Sequence, residues 1–300
     1  MATLGARGLF VSPDRMLRPI WRAILWVVLT VFVVMPLLNK FLDLIIGPAP
    51  PGPFVFSPSN LALAEGFNFA CALIVTALFA WYEHRRIDSY GMPIAKVLKS
   101  PTWEGFVVGV IQPTVVALAM VAFGVMQIRG FALVGGEIVT GTLAWLGACL
   151  LIGIAEEFLF RGYFLQTLWK AIGFWPASLV IAIMFAGVHY LLKPGENVWD
   201  MIALVSFSLL CCYSVLRTGN LWFAVGLHVA YDFMQLFVIG TPNGGHLPVG
   251  RLLDASFSGP TWLTGGPLGT EASWLASPLD ALAFAYVWWR FRRNPNFQPQ

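Results

Sequence analysis

Residues 138–169 read IVTGTLAWLGACLLIGIAEEFLFRGYFLQTLW, an apolar run broken by two adjacent carboxylates, Glu156 and Glu157, and one guanidinium, Arg161. Without those three residues the stretch is an ordinary membrane helix. Ionisable groups in hydrocarbon are costly unless paired, so by default they mark a functional site. On a helix Glu157 and Arg161 stand four apart on one face, acid ahead of base, the favourable order for an ion pair. That pair reads as structural. Glu156 points about 100° away from it, and an acid in such a setting suits proton transfer near neutral pH. The chemistry therefore turns on what faces Glu156.

The whole chain has the same character. Of its 300 residues 58% are hydrophobic and only 11% charged, and mean hydropathy is +0.75, which excludes a soluble globular protein. The 13 Trp and 24 Phe suit a polytopic protein with aromatic belts at the bilayer surfaces. A net charge of +3, with no basic run, argues against a nucleic-acid partner. Cys71, Cys149, Cys211 and Cys212 all fall in apolar segments without metal-type spacing and read as buried thiols.

Apolar segments are expected at about Ala23 to Leu38, Leu61 to Trp81, Phe106 to Met126, Ile138 to Trp169, Phe174 to Leu192, Met201 to Leu216, Leu221 to Ile239 and Pro278 to Trp289. The fold class is thus all-α, a polytopic membrane helical bundle of about eight transmembrane helices. Residues 1–22 form a cytoplasmic amino-terminal segment and residues 23–293 a single membrane domain. Pro48, Pro50, Pro51, Pro53 and Pro58 mark a loop after the first span. Residues 240–276 form a Gly/Pro-rich external loop, long enough to suggest a lid or partner surface. With the first helix entering from the cytoplasm, only Lys40, Arg129, Lys193 and Arg251 of the 18 Lys and Arg fall outside. That asymmetry places both termini in the cytoplasm.

Two further segments carry polar residues: Phe185 and His189 in the fifth, His228 and Asp232 in the seventh. If the fourth helix continues unbroken to Lys170, Glu156 lies about 21 Å from the inner boundary and His189 about 22 Å, with Asp232 at about 16 Å and His228 at about 10 Å. Glu156 and His189 are then level. Two histidines and two acids on three helices suit water activation for hydrolysis. Glu156 can take a proton from water while His189 holds that water or shares the proton. His228 and Asp232, one turn apart, can bind a developing oxyanion. Phe185, one turn before His189, walls the pocket against lipid.

The three motifs, EExxxR at Glu156 to Arg161, FxxxH at Phe185 to His189 and HxxxD at His228 to Asp232, resemble in type and order those of the CPBP family. These are the CAAX-protease and bacteriocin-processing membrane endopeptidases. The string EEFLFRGYF is especially like bacterial members, and the CPBP-like core covers about residues 140–239. The resemblance implies an eight-helix intramembrane protease with a cavity open to the cytosol. It implies Glu156 and His189 as the water-activating pair, and His228 with residue 232 as oxyanion stabilisers. It implies a bacterial inner (plasma) membrane location and a peptide or membrane-protein substrate. Asparagine is usual in the family where this chain has Asp232. An ionised aspartate cannot donate a hydrogen bond, so Asp232 is either protonated or serves to orient His228.

A glutamic, CAAX-type endopeptidase requiring no cofactor is the favoured reading. The alternatives are a zinc peptidase with Glu156, His189 and His228 as ligands, and a non-catalytic adaptor or immunity protein or a proton-coupled transporter using the same acids. HExxH, GxGD and GxSG motifs are absent from the sequence, which sets aside other intramembrane protease types. Glu65, inside the second span, has no assigned role at this level.

Overall fold

The computed structural model describes residues 6–13, 15–47, 55–192 and 198–299. The expected turn at Pro48 to Pro53, together with Asp14 and Lys193, lies outside the described residues. The protein is an all-α membrane bundle, and seven of its described helices are long and apolar enough to cross a bilayer. In chain order the main elements are α1 (Pro19–Ile46), α2 (Pro58–Tyr82), α3 (Ser100–Ala122) and strand β1 (Met126–Phe131). Then come α4 (Gly136–Arg161), α5 (Tyr163–Ile172), α6 (Phe174–Leu192), α7 (Val198–Thr218) and α8 (Trp222–Asp232). Strand β2 (Leu253–Phe257) and α9 (Ala276–Phe291) follow. At 16 residues, α9 is about 24 Å long, short of the ~30 Å hydrocarbon core. It joins the bundle without the length of a full span.

Local chemistry explains the helix starts and irregularities. Proline occupies the first turn of α1, α2 and α3, where its missing N–H is no loss. Ser57 caps α2 by accepting from the Asn60 amide. Within α1 the turns Leu29–Val34 widen to a π-helix just ahead of Pro36, which offers no N–H and crowds the turn before it. Helix α1 is also longer at both ends than the sequence suggests.

The bundle has two chemically different ends. At one, Glu83 pairs with Arg22 at 2.7 Å and accepts hydrogen bonds from the hydroxyls of Tyr163 (2.6 Å) and Tyr90 (2.9 Å). Burial, and then the Glu83 charge, push the Tyr90 phenol above its ordinary value, so it stays a donor. Arg290 pairs with Glu104 there at 2.8 Å, and Leu221 N–H donates to the Gly91 carbonyl. At the other end β1 and β2 form a two-stranded antiparallel ribbon, Met126 opposite Phe257. The Val249 amide donates to the Phe56 carbonyl, and Trp199, Trp262 and Trp274 cluster. Residues 240–276 are thus folded against the 123–135 connection and the start of α2.

Helix α8 is held between α3 and α4 by direct backbone approach. A Cβ at Gly105 would lie 2.0 Å from the Phe223 carbonyl oxygen, and one at Gly109 2.2 Å from that of Leu227. The contact is reciprocal: a Cβ at Gly226 would lie 2.1 Å from the Thr102 oxygen. On the opposite side, Gly153 of α4 meets Val229, where a Cβ would lie 3.2 Å from the amide nitrogen. Small residues that let backbones touch are the means by which helices associate where apolar burial supplies no drive.

The unbroken continuation of the fourth helix to Lys170 is corrected by the structure. Gly162 leaves helical geometry at φ −71°, ψ −116° and separates α4 from α5. A 37-residue straight helix would be about 55 Å long, far beyond the bilayer core. Helix α5 is instead buried from Tyr163 to Trp169, packed on α1 and α6.

Gly109→Val should cost at least about 1–3 kcal/mol, because the obstructing atoms are backbone. Gly147→Ala, with nothing within 4 Å of the added carbon, should be near neutral. Thermal stability in detergent, followed by size exclusion, checks the contrast.

Candidate active site

The site begins where the glycine contact ends. Gly153 lies one turn before Glu157, and its neighbour Val229 adjoins His228, so the backbone approach of α4 and α8 brings these two side chains together. His228 Nδ1 donates to Glu157 Oε1 at 2.9 Å. The same carboxylate oxygen accepts from Arg161 NH1 at 3.2 Å. The Glu157 and Arg161 side chains are both 0% exposed. Arg161 NH2 donates to the hydroxyl of Ser208 on α7, and its Cζ stands 4.6 Å from the centre of the Phe185 ring.

The expected structural pair is therefore present, and Glu157 has a second task. It fixes the imidazole of His228, turning Nε2 towards Glu156 Oε2 at 3.7 Å and Asp232 Oδ2 at 3.8 Å. Those separations exceed direct hydrogen-bond length. Phe207 sits edge-on to the His228 ring at 5.1 Å.

On α6, His189 Nδ1 lies 2.8 Å from the Phe185 carbonyl oxygen. A carbonyl only accepts, so Nδ1 is the nitrogen that donates here. Phe185 is 1% exposed and packs on His189, Phe160 and Arg161. It walls the pocket from inside the protein and is not a lipid-facing screen.

Glu156, His189, His228 and Asp232 all line one cavity of about 120 Å³, room for several waters on the scale of one water needing about 10–15 Å³. The structure also brings in residues that sequence reasoning did not place. Glu65 of α2 and Asp280 of α9 line the same cavity. Both are acids inside apolar stretches, so the rule that singled out Glu156 applies to them too. Asn243 and Glu271 line it from the 240–276 segment, joined by a 2.7 Å hydrogen bond. Neither they nor Ser208 and Phe207 carry a signal in the linear chain.

The zinc alternative was a set of Glu156, His189 and His228. Among the described residues no group of three or more His, Cys, Asp or Glu side chains is arranged to hold a metal ion. All four cysteines are free and buried, as their apolar context suggests.

Fold and site together define a polytopic helical membrane protein with an acid–histidine cavity inside the bundle. Residues 138–234 match the family model described as Type II CAAX prenyl endopeptidase Rce1-like, which is the CPBP group. The match spans roughly a third of the chain and holds all three motifs. No curated protein and no solved structure matches the chain. Over residues 138–234 the chain is similar to the CAAX-protease-like membrane endopeptidases.

Glu157→Gln should lower folded yield sharply, since breaking a buried pair costs on the order of 3–5 kcal/mol. Adding Arg161→Met removes the stranded cation and should recover much of that yield. Activity should stay low in the double variant, because His228 has then lost its anchoring carboxylate. Yield and turnover measured on both variants test this separation.

Proposed function

We propose that the protein cleaves peptide bonds by water activated between Glu156 and His189, without a bound metal. The observation that supports this most is the convergence of both residues on one cavity with His228 and Asp232. Water held at that cavity gives its proton to Glu156 as its oxygen attacks the scissile carbonyl carbon. His189 holds the water or shares the proton. The carbonyl oxygen becomes an oxyanion next to His228 Nε2 and Asp232, donors preorganised away from bulk water. For His228 to donate from Nε2 while Nδ1 binds Glu157, the ring is the imidazolium, and the two cations Arg161 and His228 are balanced by the two carboxylates Glu157 and Glu156. Collapse of the intermediate breaks the C–N bond, and the proton taken from water goes to the leaving amine. One water is consumed; a carboxyl and an amine result.

Asp232 in this scheme is a neutral donor. The 3.8 Å gap to His228 Nε2 favours that over an orienting anion, because Glu157 already holds the ring. Orientation follows the charge asymmetry, with both termini in the cytoplasm. The substrate is a peptide or a membrane protein, and prenylated CAAX tails are one member of that class.

Three outcomes test the scheme in detergent-solubilised protein. Glu156→Gln should abolish cleavage with the fold intact, and near-normal turnover would sink the mechanism. Asp232→Asn keeps a donor and should retain turnover, whereas an anionic role predicts a loss of about 10² or more. Dialysis against a strong chelator should leave the rate unchanged.

A further inference from the structure

Helices α3 and α9 are tied at two polar points and part between them. Near one end Glu104 accepts from the Tyr286 hydroxyl at 3.0 Å and pairs with Arg290 at 2.8 Å. About two turns further along α3, Gln112 donates to Asp280 at 3.0 Å in a buried contact. Along these ties runs a groove of about 560 Å³, within the roughly 300–1,000 Å³ usual for a ligand site. Its walls are Val107, Val108, Ile111, Leu279, Leu282 and Ala283. Val107, Ile111 and Leu282 are exposed at the rim and Ala283 is buried at the floor, so the groove faces lipid. From Ser100 to Gln112 it measures about 18 Å along the helix, a little over half of the ~30 Å hydrocarbon core. That is the depth of one leaflet. No residue lines both this groove and the acid–histidine cavity.

The end of the groove at Ser100 and Tyr286 is rich in cations. Lys96 and Lys99 precede α3, Arg290 lies in the last turn of α9, and Arg292 and Arg293 follow it; all five are exposed. Residues 94–103 and 281–299 hold no Asp or Glu. Glu104, the acid of the groove lining, is already engaged by Arg290 and Tyr286. Lys99, the N-cap residue of α3, makes no side-chain cap bond, which leaves first-turn amides for an anion. Exposed Trp103 and Trp289 adjoin Glu104 and Arg290, where an amphipathic indole suits the membrane interface. An occupant must therefore be apolar over the depth of a leaflet, arrive from the lipid, and be anionic at its interfacial end. A phospholipid with an acidic headgroup meets all three conditions, whereas a neutral one leaves the cations unmatched.

We infer that this groove binds one anionic phospholipid, with an acyl chain between α3 and α9 and the phosphate at Lys99 and Arg293 beside the first turn of α3. Basic residues next to a bilayer attract acidic lipids in general; the groove turns that attraction into a single site. Bound there, the lipid fills the gap between the two polar ties and holds α9, which lacks the length of a full span, against α3. The site stands apart from the acid–histidine chemistry, and its test needs no peptide substrate.

The test is lipid binding by the delipidated full-length protein in detergent, read by native mass spectrometry and by thermal unfolding. The probes are dioleoyl phosphatidylglycerol and dioleoyl phosphatidylcholine, equal in their chains and different in charge. Wild type should retain one phosphatidylglycerol about tenfold or more tightly than phosphatidylcholine, and its unfolding temperature should rise with phosphatidylglycerol alone. Lys99→Gln combined with Arg293→Gln, two exposed positions, should erase that preference while a lipid chain still binds. Val108→Phe narrows the groove and should weaken retention of both lipids. If that variant fails to fold, Ile111→Trp at the exposed rim makes the same measurement. Equal retention of the two lipids by wild type would overturn the inference. So would a preference for phosphatidylglycerol that survives the paired charge change, or retention that the groove-filling variant leaves unaltered, since either places the lipid elsewhere on the surface.

Discussion

A single carboxylate oxygen organises this protein. Glu157 Oε1 accepts from both Arg161 and His228, and neither Glu157 nor Arg161 is exposed at all. A charge so placed survives only because its partners are fixed, and those partners come from its own helix one turn on and from a second helix. Ser208 adds a third helix through Arg161. The network ties α4, α7 and α8 together beside the cavity. The ion pair of the EExxxR motif thus also holds the imidazole of His228.

That network needs helices closer than ordinary side chains permit. Gly105, Gly109, Gly153 and Gly226 supply the room, and together they leave α8 gripped on two sides. A larger residue at any of them would meet backbone or a β-branched neighbour. In a membrane interior, where lipid tails solvate apolar side chains as well as protein does, such contact is what fixes one helix against another. The exposed apolar faces are the complement: Leu63, Ile111, Leu118, Leu143 and Ile183 point outward, and the exposed Trp81, Trp103 and Trp175 stand near one end opposite Trp199, Trp262 and Trp274 near the other, as interfacial belts do.

The inner part of the cavity is the acid–histidine cluster; its outer part is formed by Glu65, Asp280 and the Asn243–Glu271 pair. The 240–276 segment supplies part of the lining and is anchored through the β ribbon, so cover and cavity are one construction. The hydrogen bond from Gln112 to Asp280 (3.0 Å) is buried and holds α9 to α3 beside that cavity.

Much of this was legible in the linear chain, because bilayer chemistry simplifies the reading. An apolar run with no alternative but to be helical, a charge bias between connections and three polar interruptions in order gave the helical class, the span pattern and Glu156, Glu157, Arg161, Phe185, His189, His228 and Asp232. The fourth helix shows the limit. GYFLQTLW is apolar enough to continue it, and only the backbone of Gly162 reveals the break. Glu157 shows it again, since spacing along one helix predicts Arg161 but cannot reveal His228, 71 residues away. Glu65, Ser208, Asn243, Glu271 and Asp280 were visible as residues and not as a site. Periodicity reports which face of a helix a side chain occupies, and charge bias reports which way the helix runs. Which faces meet, and at what rotation, is decided by backbone contacts such as Gly153 against Val229, and these exist only once the helices have packed.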